Sequence, residues 1–132
     1  MNIFQLTTAF TQGDLKGCME AVEDMLLANY NYTVMISMLS KRLRTLYNML
    51  LLHESGYSND EVATRMHVKS GFVYYALKDA SHFSSKQILS YLNELANMDQ
   101  GIKQGTLDPK NSFETFLIRN GKRKHAGYQR AF

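Results

Sequence analysis

Cysteine, proline and long apolar runs are all scarce in this sequence, and each shortage removes a class of protein. The 132 residues hold one cysteine, Cys18, and one proline, Pro109. A single thiol cannot close an intrachain disulfide, so a disulfide-stapled scaffold is excluded. On a helical pattern such a residue reads as a small buried hydrophobe, and the expected home is reducing and cytoplasmic. The most apolar stretch, Leu46 to Leu52, is far shorter than the roughly 20 residues a membrane-spanning helix needs. The N-terminus has no cationic region leading into an apolar core of signal length. No membrane partner is expected.

Catalytic motifs are missing as well. There is no glycine-rich phosphate loop, no Gly-x-Ser-x-Gly elbow and no His-Glu-x-x-His. His53, His67, His82 and His125 fall on separate predicted elements with no carboxylate cluster beside them, so they read as surface or helix-end residues and not as metal ligands. Asp60-Glu61 is accounted for as first-turn charge favoured by a helix dipole. The sequence therefore implies no catalytic residue, no metal and no cofactor, and an enzyme hidden in the fold has no positive feature behind it.

Basic charge is present but uneven. The formal net charge is +3, yet Arg119, Lys122, Arg123, Lys124 and Arg130 all lie in the last fourteen residues, leaving ten basic against twelve acidic side chains over residues 1–118. The body is nearly neutral, and the high isoelectric point belongs to a short tail, expected to be flexible over 121–132.

What is abundant is apolar residues at three- and four-residue spacing: 45% of the chain is hydrophobic and 20% charged. That periodicity predicts an all-α fold, one domain over 1–120, built as a compact bundle of about seven helices. A first helix covers about 3–11. Asp14 caps a second that reaches Leu27 with Met19, Val22, Met25 and Leu26 inward. The long third helix runs from about Thr33 to Glu54 on the stripe Met35, Met38, Leu39, Leu46, Leu50, widened by Leu43, Met49, Leu51 and Leu52, and ends at Gly56. Being apolar nearly all round at its C-terminal half, it is the central helix.

Ser58 with Glu61 and Ser84 with Gln87 each form a capping box. They open a short helix to Met66, followed after a turn at 67–69 by one over 70–80, and then a helix carrying Ile88, Leu89, Leu92, Leu95, Ala96 and Ile102 inward to a stop at Gly105. Asp108-Pro109 starts the last helix, bearing Phe113, Phe116, Leu117 and Ile118. The methionines, among them Met35, Met38, Met49, Met66 and Met98, read as core filler.

Ser58 to Ala80 also has the outline of a DNA-reading helix-turn-helix, with Ala63, Val73 and Leu77 facing inward. In that alternative Lys69, Ser70, Tyr74 and Lys78 would contact DNA. Against it, the expected turn glycine is His67, and Tyr74 and Lys78 stand where Arg, Asn or Gln would read base edges. A structural helix pair is the favoured reading.

Four segments in order, Ile3-Phe4-Gln5-Leu6-Thr7, Lys41-Arg42-Leu43-Arg44, Gly56 to Ala63 and Met98 to Gly105, together resemble the C-terminal region of the delta subunit of the bacterial DNA polymerase III clamp loader, over roughly residues 3–119. The resemblance implies a helical collar domain that holds delta in a five-membered ring. Its partners would be the ATPase subunits (gamma or tau) and delta prime. The sliding clamp would be gripped only through an N-terminal module absent from this chain, and contact with DNA would be indirect or weak. Neither an ATP site nor a reaction is implied for this domain, although the parent holoenzyme would be a DNA polymerase. Val68-Lys69-Ser70-Gly71 departs from the family, which usually has His-Pro there. Under this reading the exposed faces of the long helix and the last two helices meet neighbouring subunits, with Lys41, Arg42, Arg44, Tyr47, Phe113 and Phe116 as the candidate interface residues.

Overall fold

In a computed structural model the chain is described over residues 2–122. Among these residues there are seven helices and no strand: α1 (Asn2–Gln12), α2 (Leu15–Leu27), α3 (Tyr32–Glu54), α4 (Asn59–Met66), α5 (Ser70–Asp79), α6 (Ser85–Lys103) and α7 (Pro109–Asn120). The tail expected over 121–132 lies, from residue 123 on, outside the described residues, as does His125.

The local signals act as their chemistry dictates. The Asp14 carboxylate accepts from Gly17 N at 2.9 Å and Asn31 from Val34 N at 2.9 Å. Both Ser-x-x-Glu/Gln boxes close reciprocally, Ser58 with Glu61 and Ser84 with Gln87. The turn before α5 uses no glycine: His67 itself takes the left-handed conformation, φ +60°, and Val68 N donates to Ala63 O at 3.0 Å. The end of α6 needs two glycines for different reasons. Gly105 has φ +78°, a conformation side chains resist. Gly101 takes Thr106 N and Leu107 N on its carbonyl, and a Cβ there would stand 2.6 Å from Leu107 Cδ1.

The α3 helix packs against each of the other six helices, as a central helix should. Met35, Ile36, Leu39, Leu43, Leu46, Met49 and Leu50 are its buried residues. An aromatic knot ties the remaining layers. Phe10 of α1 stacks on Phe116 of α7 with ring centres 5.5 Å apart, and Tyr91 of α6 sets its edge against Phe10 and Phe116. Phe83, from the turn before α6, closes on Tyr91. Such pairs contribute about 0.5–1.5 kcal/mol beyond the area they bury.

Five residues expected inside are exposed: Leu26, Leu51, Leu89, Ala96 and Ile118. In α6 the cause is Tyr91. Its ring fills the aromatic knot, and this rotates the buried stripe onto Ile88, Tyr91, Leu95 and Met98, so Leu89 and Ala96 turn outward. Cys18 is buried as expected. Burial, reinforced by Asp14, pushes its thiol pKa up to about 12, which leaves it protonated and unreactive at neutral pH.

A tertiary clasp joins the ends of the two longest helices. The Glu54 carboxylate, on the last residue of α3, accepts from Ser85 N at 2.8 Å and from Ser85 Oγ at 2.5 Å. A carboxylate at a helix N-terminus satisfies free N–H groups and opposes the helix dipole favourably. The clasp sets the start of α6 beside the end of α3, and the two helices run back along each other in antiparallel fashion.

Candidate functional site

Side by side, α3 and α6 leave a groove of about 960 Å³ between their outer faces. From α3 it is lined by Thr33, Ser37, Ser40, Lys41, Arg44, Tyr47 and Asn48, and from α6 by Leu89, Leu92, Asn93, Ala96, Asp99 and Lys103. Both sets follow helical spacing, one face of each helix, so the groove is continuous over sixteen residues of α3, Thr33 to Asn48, roughly 22 Å at the helical rise. That length matches a docked helix or the rim of another bundle.

The groove is apolar along part of its α6 wall and cationic along α3. Leu89 is 40% exposed, and Leu92 and Tyr47 are half-buried. Lys103 is paired with Asp99 at 2.7 Å. Lys41 and Arg44 are exposed, and neither forms a salt bridge among the described residues. The surface therefore offers hydrophobic contact with two free positive charges beside it, the composition of a protein-binding rim.

The sequence-predicted residues divide into three groups. Lys41, Arg44 and Tyr47 come together in this groove. Arg42 does not: one residue along α3 is about 100° around the axis, and its guanidinium lies in a separate cleft between α1, α3 and α5, 4.2 Å from the centre of the Phe4 ring. Phe113 and Phe116 are corrected outright. Both are fully buried, Phe116 in the aromatic knot and Phe113 against Tyr32, and a side chain without accessible surface cannot touch a neighbour unless the bundle opens. Leu89, Leu92 and Ala96 are the groove residues that sequence reasoning missed as surface.

Lys69, Ser70, Tyr74 and Lys78 are all exposed on or just before α5, with the Tyr74 and Tyr75 rings edge to face at 5.1 Å. Beneath them Ala63, Val73 and Leu77 are buried, so the α4–α5 pair is integral to the bundle.

The family model that describes the C-terminal domain of the DNA polymerase III delta subunit matches residues 1–120. The chain belongs to that family. Within it, the chain is 25% identical over 122 residues to the DNA polymerase III subunit delta of Bacillus subtilis, covering 92% of this chain and 35% of the relative. The solved structure of the DNA clamp loader delta protein of the same organism superposes with a TM-score of 0.79 at 25% identity, over 92% of this chain and 36% of that one. The chain thus spans about a third of the length of the delta proteins it matches. Residues 58–80 fall inside the matched segment, and the α4–α5 pair is part of the delta C-terminal fold. That match supports the clamp-loader reading and gives the helix-turn-helix alternative no support.

Glycines of the delta-like segment Met98 to Gly105 now have physical reasons, since Gly101 and Gly105 build the stop of α6 described above. Gly56, with φ +95°, follows the end of α3 in the same way, and the Ser58–Glu61 box reopens the chain as α4. Among the described residues no group of three or more His, Cys, Asp and Glu could hold a metal ion, and no helix is long and apolar enough to cross a membrane.

Proposed function

We propose that this chain is the assembly part of a clamp-loader delta subunit, joining delta to the ATPase subunits and delta prime through the α3/α6 groove. The observation that carries the proposal is that groove: a continuous helical face with partly exposed Leu89 and Tyr47 beside unpaired Lys41 and Arg44, in a chain of the delta C-terminal family. Its role is to hold and not to react. Gripping the sliding clamp falls in this reading to another module of delta, and DNA is handled by the assembled ring.

The test mixes the chain with the ATPase subunits and delta prime of the same source and follows complex formation by sedimentation. Wild type is expected to enter a larger species. The double variant K41E/R44E, which alters only exposed side chains, is expected to lose most of that association while keeping its thermal midpoint, because rim charges set encounter and specificity more than stability. A wild-type chain that stays a monodisperse monomer in the mixture removes the proposal.

A further inference from the structure

Among the described residues Arg42 is a cation without a counter-ion. Its guanidinium lies 4.2 Å from the centre of the Phe4 ring and 5.5 Å from that of Phe72. Its Nε is buried, and it is the only buried side-chain nitrogen or oxygen among the described residues that lacks a hydrogen-bond partner. No carboxylate of the described residues pairs with it. A native bundle rarely leaves such a donor unsatisfied, because its desolvation goes uncompensated. Burial also lowers the guanidinium pKa from its ordinary value, the sign of a charge held at a cost.

The surroundings describe what is missing. The cleft between α1, α3 and α5 has a volume of about 140 Å³, below the range typical of cofactor pockets and suited to one side chain. Of the hydroxyls that line it, those of Thr7, Thr11 and Thr45 already donate to Ile3 O, Thr8 O and Lys41 O, and Arg42 Nε is the buried donor in need of an acceptor. At the mouth stand Phe4 and Tyr75, 43% and 64% exposed, aromatic surface of the kind that covers an incoming residue. The charge nearby excludes a polyanion. Asp79 lines the same cleft and accepts from Gln12 Nε2 at 3.2 Å, and Asp14, Glu20 and Asp24 line the adjoining groove that shares Phe4 and Thr8. A phosphodiester strand laid here would meet four carboxylates; a single carboxylate directed at Arg42 need not.

We infer that the α1/α3/α5 cleft is a second docking point, which receives one acidic side chain of a neighbouring subunit onto the Arg42 guanidinium between Phe4 and Tyr75. The inference rests on the assembly reading, but uses a different face of α3. The planar guanidinium can take a carboxylate through two parallel hydrogen bonds, which a lysine cannot reproduce.

The experiment compares wild type, R42K, R42Q, R42M and K41E/R44E in the full chain, measuring affinity for the ATPase and delta-prime subunits by titration, alongside thermal midpoints. R42Q and R42M are expected to weaken association on the order of tenfold or more, as loss of one partner of a buried charge pair does. R42K should fall between them and wild type. R42M should match or exceed the wild-type midpoint, since it removes an unsatisfied donor. Equal affinity of R42Q, R42M and wild type, with K41E/R44E still weakened, overturns the second docking point and leaves the assembly reading standing. A wild-type chain that binds no subunit removes both. A midpoint several degrees lower in R42M makes Arg42 a structural cation–π contact and overturns the inference. So does a loss in R42Q of salt-sensitive duplex DNA binding with subunit affinity intact.

Discussion

The groove and the cleft lie on opposite sides of one helix and differ in almost every physical respect. The groove is long and open, and its charges Lys41 and Arg44 are solvated. The cleft is small and walled by rings, and its charge Arg42 is half-buried with an unsatisfied Nε. Four consecutive residues, Lys41-Arg42-Leu43-Arg44, supply the groove, the cleft, the core and the groove again. A basic run in a helix is thus not a basic patch: the 100° step distributes it, and an embedded cation and a solvated one have different uses.

Three further variants probe this contrast. Leu43 is fully buried in the wall between the two faces. L43A should destabilise the chain by about 2–5 kcal/mol, as buried leucine truncations do, and loosen groove and cleft together. Hydrogen exchange that rises on one face only would show that the faces are mechanically separate. G101A acts at the end of α6, on the face turned toward Leu107 and away from both groove and cleft. Its new Cβ meets Leu107, and overpacking of this kind costs roughly 1–3 kcal/mol; exchange should rise at the end of α6 while α5 stays protected. The smallest effect belongs to S58A on the cleft side, where loss of an N-cap costs about 1 kcal/mol and frays α4, the helix that backs α5.

The same cap has a pH signature. Hydrogen bonds from Ser58 N and then Ser58 Oγ lower the Glu61 pKa against a smaller opposing desolvation, and Arg65 adds the least. A depressed carboxylate pKa adds stability that is complete above the unfolded-state value and disappears as pH falls through the folded one. The wild-type midpoint should therefore drop more than that of E61Q between neutral pH and about pH 3. Parallel curves for the two proteins would mean that the box does not hold in solution.

Much of the fold was legible because its signals are local. Asp14, Ser58, Ser84 and Asp108 each cap the helix that follows them in the sequence, and a cap is settled within four residues. Faces were harder to read where they depend on distant packing. Tyr91 takes an inner position in place of Leu89 only because Phe10, Phe83 and Phe116 converge from three other parts of the chain. Nor could spacing reveal the Glu54–Ser85 clasp, whose partners are 31 residues apart.

Two features of the site did carry a signal. Arg42 stands three residues after Leu39 and four before Leu46, on the buried stripe itself, which marks it as embedded and sets it apart from Lys41 and Arg44. Phe113 and Phe116 invite both an inward and an interface reading, and an aromatic pair at i, i+3 on the inner stripe of a bundle helix belongs to the core. The groove became visible only when α6 was seen to turn Leu89, Leu92 and Ala96 toward α3.

The Glu54 clasp has a consequence for how this domain can diverge. Because the end of α3 and the start of α6 are fastened to each other, residues 55–84 form a detour that leaves and rejoins the bundle at one neck. The two ends stay fastened whatever the detour's exposed positions hold, whereas changes at Ala63, Val73, Leu77 or Phe83, which pack into the bundle or on Tyr91, are felt by α3 and α6. The departure at Val68-Lys69-Ser70-Gly71 lies inside it. The exposed positions of α4 and α5, the rim of the cleft among them, are therefore free to change while the groove keeps its shape.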